Sequence, residues 1–448
     1  MFQHIDGSFF RGFRREVYAM EDKYVFHIDA NSAFLSWSAA YRVLILGEKL
    51  DYRTIPSIVG GDQESRHGIV LAKSTPAKKF GIHTGEAIVA AKKKCPHLAV
   101  LPPDYHLYVE ASRALMAILH KYSDHVTQYS IDEAWAEFSG FRGMYGGMVT
   151  FANELREEIK KELGFTVNIG VSTNYLLAKM AGDLKKPDMV HTLFPWEIQK
   201  KMWPLPVGEL FFVGRSTEKK LQTLGILTIG DLAKSDPNML KMHMKMQGEV
   251  VWNFAWGREL MPFLYHQEES KGYGNSMTAP TDCTSADYAK ELLLSLSETV
   301  GMRLRADNVT ASCLSVSITT CEFERYSRQM QLMSATDVTE EIYHNACRVF
   351  DQMWNDKEGR PPIRQIGVHT TKLLSGDFRQ ISMFEQMDYE KCVKVNRAVD
   401  TIRDKFGENS IMRARFIDNK VQNLGGGVHK ERRTGITAGI HLEKEVQV

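Results

Sequence analysis

Residues 129–138 read YSIDEAWAEF, and the fold turns on how Asp132 and Glu133 are accommodated within them. Ile131, Ala134, Trp135 and Phe138 suit a buried sheet, yet two acids stand side by side in their midst. Neighbouring carboxylates in a confined site repel each other and lose hydration, so they stay ionised only beside a compensating cation. Successive residues of a regular strand point to opposite faces, so both acids reach one ion only at a strand end or a hairpin turn. The stretch therefore reads as strand, tight turn, strand, with a metal site at the turn. The alternative is an ordinary polar hairpin tip, since acidic residues favour turns.

A second stretch weighs against that alternative. Residues 24–28 (YVFHI) form a short β-rich run that stops at Asp29-Ala30-Asn31-Ser32, again setting a carboxylate at the end of a buried strand. If the two strands are neighbours, Asp29, Asp132 and Glu133 converge. Three carboxylates suit a pair of Mg²⁺ ions, which take oxygen ligands in octahedral geometry and complete their shells with water and phosphate oxygens. Two such ions about 3.5–4 Å apart hold the attacking and leaving oxygens of a phosphoryl transfer in line, so the chemistry indicated is nucleotidyl transfer.

Three runs, HIDANSAF (27–34), YSIDEA (129–134) and GVSTNYLLAKMAGDLKKPD (170–188), together resemble the Y-family, or translesion, DNA polymerases of bacterial (DinB/UmuC-like) type. They occur in that family's order and at its separations, and the resemblance extends from Tyr24 to about Arg415. It implies an α+β multidomain fold: a polymerase palm, small fingers, a helix-hairpin-helix thumb and a ferredoxin-like little finger.

Composition agrees with a soluble enzyme of several domains. The 448 residues are 43% hydrophobic and 25% charged, an ordinary globular balance. No apolar run is long enough for a membrane span, and the first residues lack the apolar core of a signal peptide, so a cytoplasmic protein is expected. Six scattered cysteines show no CxxC or Cys/His ligand spacing and read as reduced thiols. A formal charge of +1 gives no global argument for nucleic acid. DNA contacts would come from local clusters such as Lys92-Lys93-Lys94, Lys185-Lys186 and Lys219-Lys220, each of which, taken alone, reads as a solvated face.

The expected organisation is an extension over 1–23, palm over 24–32 and 104–192, fingers over 33–103 and thumb over 193–265. A linker over 266–274, a little finger over 275–379, a clamp-binding motif over 380–384 and a C-terminal helix with a basic, flexible tail over 385–448 complete it. In the palm, helices are expected over 108–122, with Leu115, Ile118 and Leu119 on one face, and over 151–163. A helix over 32–44 has Phe34, Trp37 and Leu44 as buried candidates. In the thumb, residues 206–236 read as helix, short turn, helix, with Gly214 and Gly225 as turn points. The resemblance makes this a helix-hairpin-helix holding a phosphate backbone through Gly214, Arg215 and Lys219, where a plain αα-hairpin is the alternative. The family usually has Gly in place of Phe212. From Tyr273 onward the elements run β-α-β-β-α-β, and the run Gly425-Gly426-Gly427 reads as a flexible spacer.

By resemblance, Asp29, Asp132 and Glu133 are the catalytic acids and, with the Ala30 carbonyl, hold two Mg²⁺ ions. Ser32, Ala33, Phe34, Thr75, Lys78 and Lys186 contact the incoming dNTP. Thr75 and Lys78 stand where the family commonly has Tyr and Arg, and Lys offers charge without the bidentate fork of Arg. Phe34, five residues after Asp29, would exclude ribonucleotides as a sugar gate, although the residue taken alone reads as a core Phe. The partners implied are primer-template DNA, dNTP and, through Gln380, Met383 and Phe384 of QISMF (380–384), the bacterial sliding clamp. A monomer acting in mutagenic DNA repair, as in the SOS response, is expected. The competing readings are a silent relative serving as an adaptor, which would lose the acids, and another palm-bearing transferase or cyclase, which would not need the thumb hairpin or the last domain.

Overall fold

The computed structural model describes residues 23–61, 68–139, 147–259, 270–354, 361–375, 388–417, 421 and 423–426. The described residues divide into two compact units, one of residues up to 259 and one from 270 onward.

In the first unit β1 (Lys23–Ala30) is the middle strand of the main sheet. It is followed by α1 (Ala33–Leu44), β2 (Ser57–Gly60), β3 (Val70–Lys73), the short α2 (Thr75–Lys78), α3 (Ile88–Lys94) and β4 (Ala99–Leu101). Then come α4 (Tyr105–His120), β5 (Val126–Gln128), β6 (Glu133–Ser139), α5 (Met148–Leu163), β7 (Val167–Ser172), α6 (Tyr175–Asp183) and β8 (Val190–Thr192). The five-stranded order is β5-β6-β1-β7-β8, and a separate three-stranded sheet has the order β3-β2-β4. Strand β1 runs through Ala30, so Asp29 lies within the strand rather than just past its end.

Both faces of β1 are covered, and its side chains alternate accordingly. Phe26 packs among Phe138 and Phe151, whereas His27 lies against Trp135 on the opposite face, which α6 covers. Helix α6 approaches so closely that a Cβ on Gly170 would stand 1.9 Å from the Ala178 carbonyl oxygen and 2.3 Å from the Gly182 nitrogen. Only glycine fits there. Leu115, Ile118 and Leu119 are buried on α4, and Trp37 is buried on α1, but Leu44 is 60% exposed, contrary to the expectation from its spacing. Its place in the last turn of α1 carries it past the edge of the core.

The rest of this unit is helical: a 3₁₀ turn (Val207–Glu209), α7 (Arg215–Thr223), α8 (Ile229–Lys234), α9 (Pro237–Met244) and α10 (Met246–Ala255). A single 3₁₀ turn therefore stands where the sequence pattern suggested a full first helix of the hairpin. Phe212, in the place of the expected Gly, holds φ +71 and is 45% exposed. A left-handed backbone at a bulky residue is costly, and contacts of its ring with Phe211 and Phe254 oppose that cost.

The second unit contains β9 (Gly272–Cys283), α11 (Ala286–Ala306), β10 (Val309–Thr320), β11 (Arg325–Thr336), α12 (Thr339–Met353), β12 (Ile363–Ser375) and α13 (Tyr389–Phe406). The element order is the expected β-α-β-β-α-β, the strands lie in the order β11-β10-β12-β9, and every pairing is antiparallel. Helix α13 is fastened by charge. Arg403, 4% exposed, donates to Glu298 at 2.7 Å, and Arg413 bridges Glu298 at 2.5 Å and Glu340 at 2.6 Å. The glycine run is not a spacer at its first two positions. The Gly425 N–H donates to the Ser295 carbonyl, its own carbonyl accepts from Thr299, and a Cβ on Gly426 would meet Asn275 at 2.2 Å. Glycine is required there by close packing, with Val421 and Leu424 buried beside it.

Candidate active site

The register of the main sheet sets the acids. Asp29 on β1 is the antiparallel partner of Glu133 on β6, and the Ala30 N–H donates to the Asp132 carbonyl at 3.0 Å. Asp132 occupies the turn before β6 and Glu133 opens the strand, the strand-end placement that two adjacent acids need. The three carboxylates adjoin without converging. Among the described residues, no three His, Cys, Asp or Glu side chains are grouped closely enough to hold an ion as they stand.

Each acid instead has its own partner. Asp29 is ion-paired with Lys186, which also reaches Asp183 at 2.9 Å. Asp132 accepts from the Ser130 hydroxyl at 2.7 Å. Glu133 accepts from Lys179 at 2.7 Å and lies 3.4 Å from Nε2 of the fully buried His27. Burial resists ionisation of Glu133, but the hydrogen bonds to His27 and Lys179 outweigh it and pull its carboxyl down to about 2. Burial pushes the Asp132 carboxyl above its ordinary value; the Ser130 hydroxyl opposes this, while the charges of Asp29 and Glu133 add to it. Burial also disfavours the Lys186 ammonium, yet Asp29 and Asp183 more than compensate and hold it above the usual lysine range. Asp132 thus resists ionisation chiefly because it is buried, and the donors of the three acids are all oxygens. That donor set fits a hard divalent cation.

A cavity of about 170 Å³ is lined by Asp29, Ala30, Ser32, Thr75, Lys78 and Lys186, six of the residues expected from sequence, whereas Asp132 and Glu133 do not line it. Asn31, Arg53, Ser74 and Thr166 also line it and were not foreseen. Arg53 is held by Asp51 and by the Gly164 carbonyl, a placement that only the tertiary fold reveals. Ser32 holds φ +50 and caps α1 without a side-chain hydrogen bond, while its carbonyl accepts from the Ser36 N–H. The first N–H groups of α1 thus begin at the cavity, an arrangement favourable to anions. Ala33 is buried next to Ser32 and does not line the cavity. Nor does Phe34, whose ring stacks on Tyr108 at 4.4 Å and 6° and meets Trp37 and Tyr105.

Gly214 caps α7 with no side-chain hydrogen bond, and Arg215 and Lys219 are exposed on that helix. Gln380, Met383 and Phe384 lie outside the described residues. Two residues that touch Glu133, His27 and Lys179, were missed from sequence. His27 could have been found as the residue two before Asp29, on the same strand face; Lys179 is the lone charge between Leu176 and Gly182.

A solved chimeric Y-family DNA polymerase matches this fold with a TM-score of 0.66 at 20% identity, covering 79% of this chain and all of that one. The fold is thus that of a Y-family polymerase. The chain belongs to the impB/mucB/samB family: the family's sequence model matches residues 28–183, its C-terminal domain matches 270–383, and its HHH motif matches 195–226. A DNA polymerase IV from Clostridium acetobutylicum is 46% identical over 89% of this chain and 99% of its own length. A DNA polymerase IV 2 from Bacillus subtilis is 33% identical over 88% and 95% respectively. The protein is a DNA polymerase of the Y-family, a class that uses divalent metal ions and acts on primer-template DNA and dNTPs. Among the described residues no helix is long and apolar enough to cross a membrane.

Proposed function

We propose that this protein extends primers opposite damaged template by two-metal nucleotidyl transfer, as a monomer in the cytoplasm. The observation that carries the reading is the register pairing of Asp29 with Glu133, which sets Asp132 beside them, with the cavity opening at Asp29. Two Mg²⁺ ions, when bound, would hold the attacking and leaving oxygens and offset the charge that develops on them. Asp29, Asp132, Glu133 and the Ala30 carbonyl would hold them. Lys186 and Lys78 would offset the triphosphate charge, and the backbone of Ser32 and Ala33, with the Thr75 hydroxyl, would orient it. Gly214, Arg215 and Lys219 would grip the duplex by its backbone without reading sequence. An adaptor role is not favoured, because all three acids are present. Primer extension on matched damaged and undamaged templates tests the reading: synthesis past a lesion supports it, and no Mg²⁺-dependent synthesis on either template rejects it.

The Phe34 ring is proposed as the sugar gate. Phe34→Ala is expected to relax discrimination against ribonucleotides by about tenfold to a hundredfold, the worth of a buried polar group left unpaired. Because the ring also stacks on Tyr108, Phe34→Leu serves as a companion that retains apolar bulk. Unchanged ribonucleotide discrimination in both variants would reject the gate. Lys78, exposed at the end of α2, is expected to contribute mainly to nucleotide binding. Lys78→Ala should raise the KM for dNTP by about threefold to tenfold with little change in kcat, as for a contact equal in ground and transition states. An unaltered KM removes Lys78 from the contact set.

Gln380, Met383 and Phe384 are proposed to tether the protein to the sliding clamp, the two apolar side chains filling a pocket and the amide fixing orientation. Tethering raises local concentration at the primer end. Alanine at all three positions should remove clamp-stimulated synthesis and spare clamp-independent synthesis. Persisting stimulation would exclude the motif as the tether.

A further inference from the structure

Lys179 stands in the middle of α6 and is 8% exposed, an uncommon place for a lysine without a task. Its ammonium lies 2.7 Å from a Glu133 carboxylate oxygen, 4.0 Å from Asp183 and 5.4 Å from the centre of the Phe211 ring. Phe211 belongs to the thumb hairpin that leads to Gly214 and α7. The hairpin is secured from two sides: the Phe211 N–H reaches the Met180 sulfur at 3.4 Å, and the Gln247 amide donates to the Phe212 carbonyl at 3.0 Å. A second contact runs in parallel, since the Phe211 ring meets that of Tyr129, whose N–H donates to the Glu133 carbonyl at 3.0 Å. The same ring thus touches both the cation that holds the Glu133 carboxylate and the residue that holds its backbone.

We propose that Lys179 is a positioning residue that fixes the Glu133 carboxylate, and that Phe211 links its setting to the thumb hairpin. This rests on the reading of Glu133 as a metal-holding acid. A carboxylate free to rotate samples several orientations, and an ammonium at hydrogen-bond distance selects one. The face of an aromatic ring attracts the same ammonium and limits where it goes. A hairpin displaced from the position seen here withdraws that ring, so the grip on duplex and the readiness of Glu133 change together. His27, buried on the same sheet face, borders the carboxylate from β1 and leaves Lys179 as the partner connected to the thumb.

Five proteins test this: the parent, Lys179→Met, Lys179→Arg, Phe211→Leu, and the double variant Lys179→Met with Phe211→Leu. The measurements are single-nucleotide incorporation, primer-template affinity by fluorescence anisotropy, Mn²⁺ affinity of the protein–DNA complex by electron paramagnetic resonance, and thermal unfolding. Lys179→Met is expected to lower both kcat and Mn²⁺ affinity by about tenfold to a hundredfold, the usual effect of removing a partner that orients a metal ligand. The KM for dNTP and the DNA affinity should stay near the parent's. Lys179→Arg should recover part of both losses, since a guanidinium still donates to Glu133. Phe211→Leu should lower kcat about threefold to tenfold in the parent and add little in the Lys179→Met background, as expected of residues acting in series. Parent-like kcat and Mn²⁺ affinity in a folded Lys179→Met protein would overturn the proposal, as would an equal Phe211→Leu effect in both backgrounds. If Lys179→Met fails to fold, parent-like Mn²⁺ affinity and kcat in Phe211→Leu overturn the link. A parent protein–DNA complex that binds no Mn²⁺ points instead to failure of the reading of Glu133 as a metal-holding acid.

Discussion

Asp132→Ala is expected to reduce primer extension by about a thousandfold or more, because a ligand lost from a phosphoryl-transfer centre removes several kcal/mol of transition-state stabilisation. The structure sharpens the expectation. Asp132 sits in the turn before β6 and, among the described residues, its side chain accepts a local hydrogen bond from Ser130, so alanine there leaves the sheet register intact. The backbone carbonyl that receives the Ala30 N–H is also retained. DNA affinity should therefore remain near the parent's while catalysis collapses. Asp132→Asn, which keeps shape and removes charge, should be nearly as inactive. Purified Asp132→Ala protein that still extends primers at more than about a tenth of the parent rate would exclude Asp132 as a metal-holding residue.

Arg403→Met should destabilise the second unit by about 1–3 kcal/mol, the cost of losing a buried hydrogen bond to a charged group while a second cation still compensates the carboxylate. Glu298 and Arg403 are 3% and 4% exposed, and among the described residues Met would leave the Glu298 carboxylate with Arg413. Chemical denaturation monitored by a probe in this unit checks the figure; a loss below about 1 kcal/mol would mean that water reaches Glu298 and that the cluster is not a fastening. The Glu340 carboxyl adds a pH signature. Burial raises its pKa, but Arg413 outweighs burial and holds it below the usual glutamate value. Its contribution is therefore complete at neutral pH. It should fade only as pH falls below the ordinary glutamate range of about 4.3 and through the lower folded value.

The strand-end position of the adjacent carboxylates was legible in the apolar residues around them, whereas their expected metal-holding role came from the family resemblance, since a polar hairpin tip explains the dipeptide too. Their strands and the helices behind them were equally legible from alternation and apolar spacing. What could not be read was set by tertiary approach. Arg53 carries no local pattern that would bring it to the cavity, and it arrives through a bond to the Gly164 carbonyl of a distant segment. Lys179 is a lone charge in an apolar helical run, and only the fold shows it buried against Glu133. Leu44 satisfied the helical spacing yet lies outside the core, because spacing fixes a face and not how far the neighbouring element extends. Gly425 and Gly426 were misread for a related reason. Glycine composition marks both freedom and close contact, and only the neighbours at Ser295 and Asn275 distinguish the two.

The left-handed backbone at Ser32 bears on how such an enzyme can choose its substrate. That conformation is set when the chain folds, before any nucleotide arrives, and it opens α1 at the cavity edge. A phosphate tail received there meets the same main-chain groups whichever base it carries. Correct and incorrect nucleotides then share this part of their binding free energy, and the shared part cancels from any ratio between them. Strengthening the handle would tighten all four substrates alike and leave the error rate where it was. Accuracy would have to be read from the base and sugar alone, and tolerance of misshapen templates would come with that division.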